Sequence, residues 1–169
     1  GSGEITLALA GTDQDNLLGL SAGGRRTTSR LIDGEWVPNY QRLFPTEAST
    51  VARVEMSAMI ESVKRVALVA ERNTPVQLSF DDGQVVLEAG SGEDAQASEG
   101  LPAAVEGPAI TTGFNPGYLL DGLQAVQAPF AYLSFTDPRK AAVLQGAESL
   151  ESDPLPGYRY LAMPVRISS

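Results

Sequence analysis

The chain has 169 residues, 43% of them hydrophobic and 20% charged, which suits a folded domain with a real core and excludes a disordered polymer. Its formal charge of −9 argues against a free-standing nucleic-acid binder, since phosphate affinity comes from a surplus of Lys and Arg. With neither Cys nor His, disulfides, thiolate catalysis, imidazole bases and the commonest metal ligands are all excluded.

In chain order, Glu4 to Ala10, Leu17 to Ser21 and Arg25 to Leu31 read as short strands between Gly, Asp and Asn punctuation. Three antiparallel strands with no helix of their own make a poor core, so this segment reads as the tail of a larger unit. Asp33-Gly34 turns the chain into a connector, Trp36 to Pro45, whose Trp36, Tyr40 and Phe44 are expected to pack over a domain junction.

From Val51 the pattern sharpens. Ser57 is read as the N-cap of a helix reaching about Asn73, with Met59, Ile60, Val63, Val66, Ala67 and Ala70 at helical spacing. Val76 to Phe80 and Gln84 to Glu88 alternate around the hairpin turn Asp81-Asp82-Gly83, and a weaker strand is expected over Ala95 to Leu101. Ile110 to Phe114 is a strand that leads into a second helix ending near Gln127. There Asn115 caps and Pro116 occupies the first helical position, where its missing N–H costs nothing. Strands follow at Ala131 to Thr136, Ala141 to Gln145 and Tyr160 to Ile167.

The two halves repeat in layout: strand, capped helix, then Leu78-Ser79-Phe80 in one and Leu133-Ser134-Phe135 in the other, each followed by a turn aspartate. The fold class is therefore α+β, a doubled βαβββ domain with two helices packed on antiparallel sheets, preceded by part of a second such domain. The division falls at residues 1–43 and 44–169.

Catalytic constellations are weak. The stretch Gly19 to Gly24 is glycine-rich but no helix follows it, so it is hairpin chemistry and no phosphate cradle. The pairs Asp81 with Asp82, Glu93 with Asp94 and Glu148 with Glu151 fall in turns, where solvated acidic surface is the ordinary explanation. No serine has a visible base, and no carboxylate cluster points to a metal. The chain reads as a non-enzyme without cofactors, and no segment approaches the roughly 18 to 20 apolar residues of a membrane span.

The stretches GGRRTTSRLIDGEW, PNYQRLFPTE, FNPGYLLDGL and YLAMPVRI, in that order, resemble the bacterial sliding clamp, the beta subunit of DNA polymerase III, in its high-GC Gram-positive form. The resemblance runs from about Glu4 to Ile167. It implies a replication processivity factor in which two chains of three similar domains close into a ring around duplex DNA. This chain would supply the second half of the middle domain and all of the third, and is not expected to close a ring alone.

The resemblance further implies a hydrophobic groove where short linear motifs dock, from the polymerase alpha subunit, the clamp loader and repair or translesion polymerases. Carried over by position, its residues are Pro38, Arg42 and Leu43 of the connector, Asn115 and Tyr118 of the second helix, and Leu161, Ala162, Met163, Pro164, Val165 and Arg166 of the tail. Arg30, Lys64, Arg65 and Arg72 are the candidates for facing DNA, and Leu68, Val69 and Arg72 for the subunit interface of the homodimer. The location implied is the cytoplasm, at the nucleoid during replication. The competing reading is an acidic β-rich interaction module that encircles no DNA, since one fold carries several functions.

Overall fold

The computed structural model describes residues 3–12, 15–32, 40–70, 74–90 and 95–166. The chain divides into two compact units, residues 1–40 and 41–169. The first holds a three-stranded antiparallel meander of β1 (Thr6–Thr12), β2 (Asp15–Ala22) and β3 (Arg25–Arg30). Its register sets Leu7 opposite Leu20 and Leu9 opposite Leu18, so these side chains share one face of the sheet. Leu7 and Leu9 are 65% and 76% exposed, so the meander buries no core of its own.

A 3-10 turn, Tyr40–Leu43, leads into the second unit. Its elements are β4 (Thr50–Glu55), α1 (Met56–Ala67), β5 (Val76–Asp81), β6 (Gln84–Ala89) and β7 (Ala97–Glu106), and then β8 (Ile110–Phe114), α2 (Pro116–Ala125), β9 (Phe130–Phe135), β10 (Ala142–Ala147) and β11 (Tyr160–Ala162). This is βαβββ twice over, as the repeated sequence layout requires. The strands join edge to edge in the order β11-β10-β9-β4-β7-β6-β5-β8, each neighbouring pair being antiparallel.

The cap of helix α1 falls two residues earlier than its sequence suggests. The cap is Glu55, not Ser57: the Glu55 carboxylate accepts the Ser57 N–H at 3.1 Å, the Ala58 N–H at 2.7 Å and the Ser57 hydroxyl at 2.7 Å. Those backbone donors have no partner inside the helix, so the carboxylate satisfies them and meets the positive end of the dipole. The helix also stops earlier than expected, at Ala67; Leu68, Val69 and Ala70 then donate to Arg65, Val66 and Ala67, a tightening to three-residue turns. Asn73 lies outside the described residues.

The core lies between helices and sheet. Met59, Val63 and Val66 of α1 and Leu119 and Leu123 of α2 are buried against Leu78, Leu87, Leu133 and Leu144. Phe80 and Phe135, equivalent positions of the two repeats, meet with ring centroids 5.2 Å apart and planes tilted by 45°.

Strand β7 is longer than its sequence suggests, because it turns a corner. As far as Pro102 it pairs with β6, and from Ala103 to Glu106 it pairs with β4. Proline carries no ladder donor, so the switch of partner falls beside it, and Ala103 donates to Gly83 at 2.9 Å. The second repeat attempts the same corner with β11 and does not complete it.

Candidate functional site

By equivalence of the repeats, β11 should pair first with β10 and then with β8, as β7 does with β6 and β4. The first half happens: Tyr160, Leu161 and Ala162 pair with Leu144, Val143 and Ala142. The expected strand to Ile167 is not seen, however. It ends at Ala162, and among the described residues pairing with β8 is reduced to one bridge, in which the Val165 N–H donates to the Gly113 carbonyl at 2.8 Å. Pro164 has no N–H to offer a ladder, which is why Met163 and Pro164 leave the sheet. Ile167 lies outside the described residues.

The incomplete ladder leaves a seam between β8 and the tail. On one side of the Val165 bridge is a cavity of about 290 Å³ lined by Phe114, Asn115, Tyr118, Leu119 and residues 160–163. On the other is a wider cleft of about 680 Å³ reached by residues 111–113, Pro138, Arg139 and residues 164–166.

Helix α2 aims its first turn at the smaller cavity. The Asn115 side-chain oxygen accepts the Gly117 N–H at 2.9 Å and the Tyr118 N–H at 3.3 Å, as the sequence suggests, and Pro116 follows at the first helical position. The cap fixes the backbone of Tyr118, whose ring is 68% exposed at the cavity mouth. Beneath, Gly122 lets Tyr160 lie against the helix: a Cβ there would fall 2.6 Å from Tyr160 Cδ1. Burial raises the Tyr160 phenol above its ordinary value, with the Asp121 carboxylate adding to the shift.

The sequence candidates therefore divide. Asn115, Tyr118, Leu161, Ala162 and Met163 line the cavity, and Pro164, Val165 and Arg166 line the cleft. Met163 is 66% exposed, a large apolar side chain held out by the break in the strand. Arg42 and Leu43 sit on the 3-10 turn, both exposed, and line neither cavity. Pro38 lies outside the described residues. Sequence reasoning missed Tyr160, which forms the floor of the cavity against Gly122, and Arg139, which lines the cleft. Tyr160 has only its position beside the tail motif as a sequence signal, and Arg139 has none. Arg159, also beside the tail, lines neither cavity; its guanidinium lies 4.4 Å from the centre of the Phe44 ring.

Of the candidates for facing DNA, Lys64 and Arg65 are exposed on α1 and each meets a carboxylate. Lys64 pairs with Glu61 at 2.9 Å, and Arg65 donates Nε to Glu99 at 3.1 Å and a terminal nitrogen to Ser62 at 3.2 Å. These contacts raise the Arg65 value and lower those of Glu61 and Glu99, each mainly through the hydrogen bond to its partner. Arg30 ends β3 in the first unit, exposed. Leu68 is 84% exposed and Val69 half-buried beyond the end of α1, and Arg72 lies outside the described residues. Among the described residues no group of carboxylates could hold a metal ion, and no helix is long and apolar enough to cross a membrane.

Residues 41–165, nearly the whole second unit, match the family described as DNA polymerase III beta subunit, C-terminal domain. The chain belongs to the sliding-clamp family. A Beta sliding clamp of Streptomyces coelicolor is 51% identical over 166 residues, which is 98% of this chain and 44% of that protein. A Beta sliding clamp homolog, GriR, of Streptomyces muensis is 45% identical over 158 residues, 94% of this chain and 42% of that protein. Among solved structures, the beta sliding clamp of C. crescentus superposes with a TM-score of 0.80 at 27% identity, covering 95% of this chain and 41% of that one. The chain thus spans less than half the length of the curated sliding clamps it matches. The α+β fold of two helices on antiparallel sheets is that of the clamp family.

Proposed function

We propose that this chain is the protein-docking portion of a DNA replication clamp. It takes up short linear motifs of polymerase III and other replication and repair proteins in the seam between α2 and the tail. The single observation that carries this reading is the unfinished corner of β11. In the first repeat β7 fills the equivalent place with a continuous ladder; in the second, the strand break presents Met163 and Tyr118 around an open apolar cavity. A flexible thioether and an amphipathic ring suit a site that accepts several related peptides.

In the whole protein two chains close head to tail around duplex DNA, so retention is topological and base reading is not required. The relatives' common name, beta sliding clamp, supports this assignment. Lys64 and Arg65 on the exposed side of α1, with Arg30 and Arg72, supply the phosphate-facing charge. The pairing of Lys64 and Arg65 with Glu61 and Glu99 weakens their pull on DNA, which suits sliding more than gripping. Leu68, Val69 and Arg72 belong to the surface that meets the partner chain. The chain contributes no catalysis, and it works in the cytoplasm at the nucleoid.

Calorimetric titration with a short peptide containing Gln and Leu in a clamp-binding motif tests the docking function. Binding weakened about tenfold or more by Met163→Ala is expected, in line with the loss of a central buried anchor. Equal affinity in the two proteins would place the peptide elsewhere, and an absence of binding would favour an interaction module of another kind.

A further inference from the structure

The wider cleft differs from the cavity in its charge. Among the described residues its lining includes two arginines, Arg139 and Arg166, and no acidic residue, in a chain whose formal charge is −9. Elsewhere in the second unit Arg53, Lys64 and Arg65 each have a glutamate within 3 Å, and Arg159 lies over Phe44. Arg166 has no ion-pair partner among the described residues, and Arg139 has only Asp137, at 3.9 Å, with its side chain 89% exposed.

Asp137 is itself occupied in shaping the turn. Its carboxylate accepts the Arg139 N–H at 2.9 Å, and its carbonyl accepts the Lys140 N–H at 3.1 Å. The turn is further pinned from below, where the buried Thr112 hydroxyl donates to the Pro138 carbonyl at 3.0 Å. Arg139 therefore projects from an ordered turn, which limits the entropy lost when it meets an anion.

Resting on the docking function proposed above, we infer that the basic cleft reads acidic residues flanking the apolar docking motif, with Arg139 as the specificity-determining residue and Arg166 beside it. Cavity and cleft are consecutive along both walls: residues 111–113 precede Phe114 and Asn115 on one, and residues 164–166 follow Met163 on the other. A peptide anchored in the apolar cavity and running along the seam sends one of its flanks over the cleft. Carboxylates there meet two cations, neither held in a close ion pair, while a basic flank meets like charge. An acidic peptide fits better than a nucleic acid because the cleft adjoins an apolar cavity across the Val165 bridge, and a peptide carries the apolar side chains that cavity takes whereas a phosphate backbone does not.

The test uses the full chain and the same Gln- and Leu-containing peptide, extended at either end with two glutamates or, as a reference, two glutamines. One of the acidic extensions is expected to bind about two- to fivefold tighter than its glutamine counterpart at low salt, with the advantage shrinking as salt rises. That ratio should fall toward one in Arg139→Gln and invert in Arg139→Glu, while Arg25→Gln, which removes the same charge from β3, keeps it. Equal affinity for both extensions, or a ratio that survives Arg139→Gln, overturns the inference and leaves the docking function standing. Binding that Met163→Ala does not weaken removes both. Preferential binding of a short DNA duplex, lost in Arg139→Gln, would overturn it in favour of a phosphate ligand.

Discussion

Replacing Gly122 by Ala should destabilise the protein, although helix propensity alone says the opposite. In the interior of an exposed helix, Gly→Ala gains about 0.8–1.0 kcal/mol. Here the new methyl would stand 2.6, 2.8 and 3.1 Å from Cδ1, Cε1 and Cγ of Tyr160, inside contact distance of three atoms of a rigid ring. Forcing a methyl into such a packed site costs about 1–3 kcal/mol. The overpacking outweighs the propensity, and a net loss of about 1 kcal/mol is expected, read as a lowered urea midpoint at unchanged slope. Removing the obstacle should reverse the sign: in a Tyr160→Ala background the same substitution should stabilise by up to about 1 kcal/mol. Because Tyr160 opens β11, Gly122→Ala should also weaken peptide binding. A stabilising Gly122→Ala in the otherwise unchanged chain would refute this account of how the helix seats the strand.

Other consequences concern the frame around the seam. The Glu55 carboxylate is held below its ordinary value of 4.5 first by the Ala58 N–H and then by the Ser57 hydroxyl. A depressed folded value contributes stability that is complete above the unfolded value and is lost as pH falls through the folded one. Glu55→Ala should therefore cost about 0.5–1 kcal/mol at neutral pH, the low end of capping effects for an exposed group, with the gap closing in acid. Arg53 is only 4% exposed, donating to the Ser152 carbonyl at 2.8 Å and to Glu106 at 2.6 Å and lying 4.9 Å from the centre of the Tyr132 ring. Since Glu106 is 67% exposed and stays solvated, Arg53→Ala should cost about 1–3 kcal/mol and Glu106→Gln less than about 1. Thr112→Val keeps the shape but strands the Pro138 carbonyl. It should cost about 1–2 kcal/mol in chemical denaturation and reduce the preference for acidic flanks by loosening the turn under Arg139.

What the sequence reveals about this fold follows from where local chemistry and tertiary structure agree. Asn115 and Pro116 announce α2 because a capping amide and a fixed φ act within one turn of chain. The turn at Asp82-Gly83 is equally local: both residues adopt positive φ, 36° and 81°, as a tight hairpin requires. The start of α1 is obscured in the sequence because Glu is an uncommon cap, and only the structure shows its carboxylate curling onto the Ser57 and Ala58 donors. The full length of β7 was hidden by Pro102, which reads as a stop but is a corner, with pairing passing from β6 to β4. The tail misleads in the opposite sense: its apolar run suggests a strand to Ile167, yet Pro164 ends the ladder and so opens the seam.

Of the candidate site, the tail and the start of α2 follow from the resemblance to sliding clamps, whereas Tyr160, Gly122 and Arg139 do not. Their parts depend on contacts between segments far apart in the chain. Gly122 in particular looks like a weak point of an amphipathic helix until the Tyr160 ring is seen against it.

The most direct test of the central claim is amide chemical-shift mapping of the isotope-labelled chain during titration with the clamp-motif peptide. The largest shifts should cluster on Gly113 to Tyr118 and on Tyr160 to Arg166, with Arg53, Lys64 and the β1–β3 amides unmoved. Shifts centred on α1 or on the first unit, with the tail silent, would contradict the assignment of the unfinished corner of β11 as the docking site.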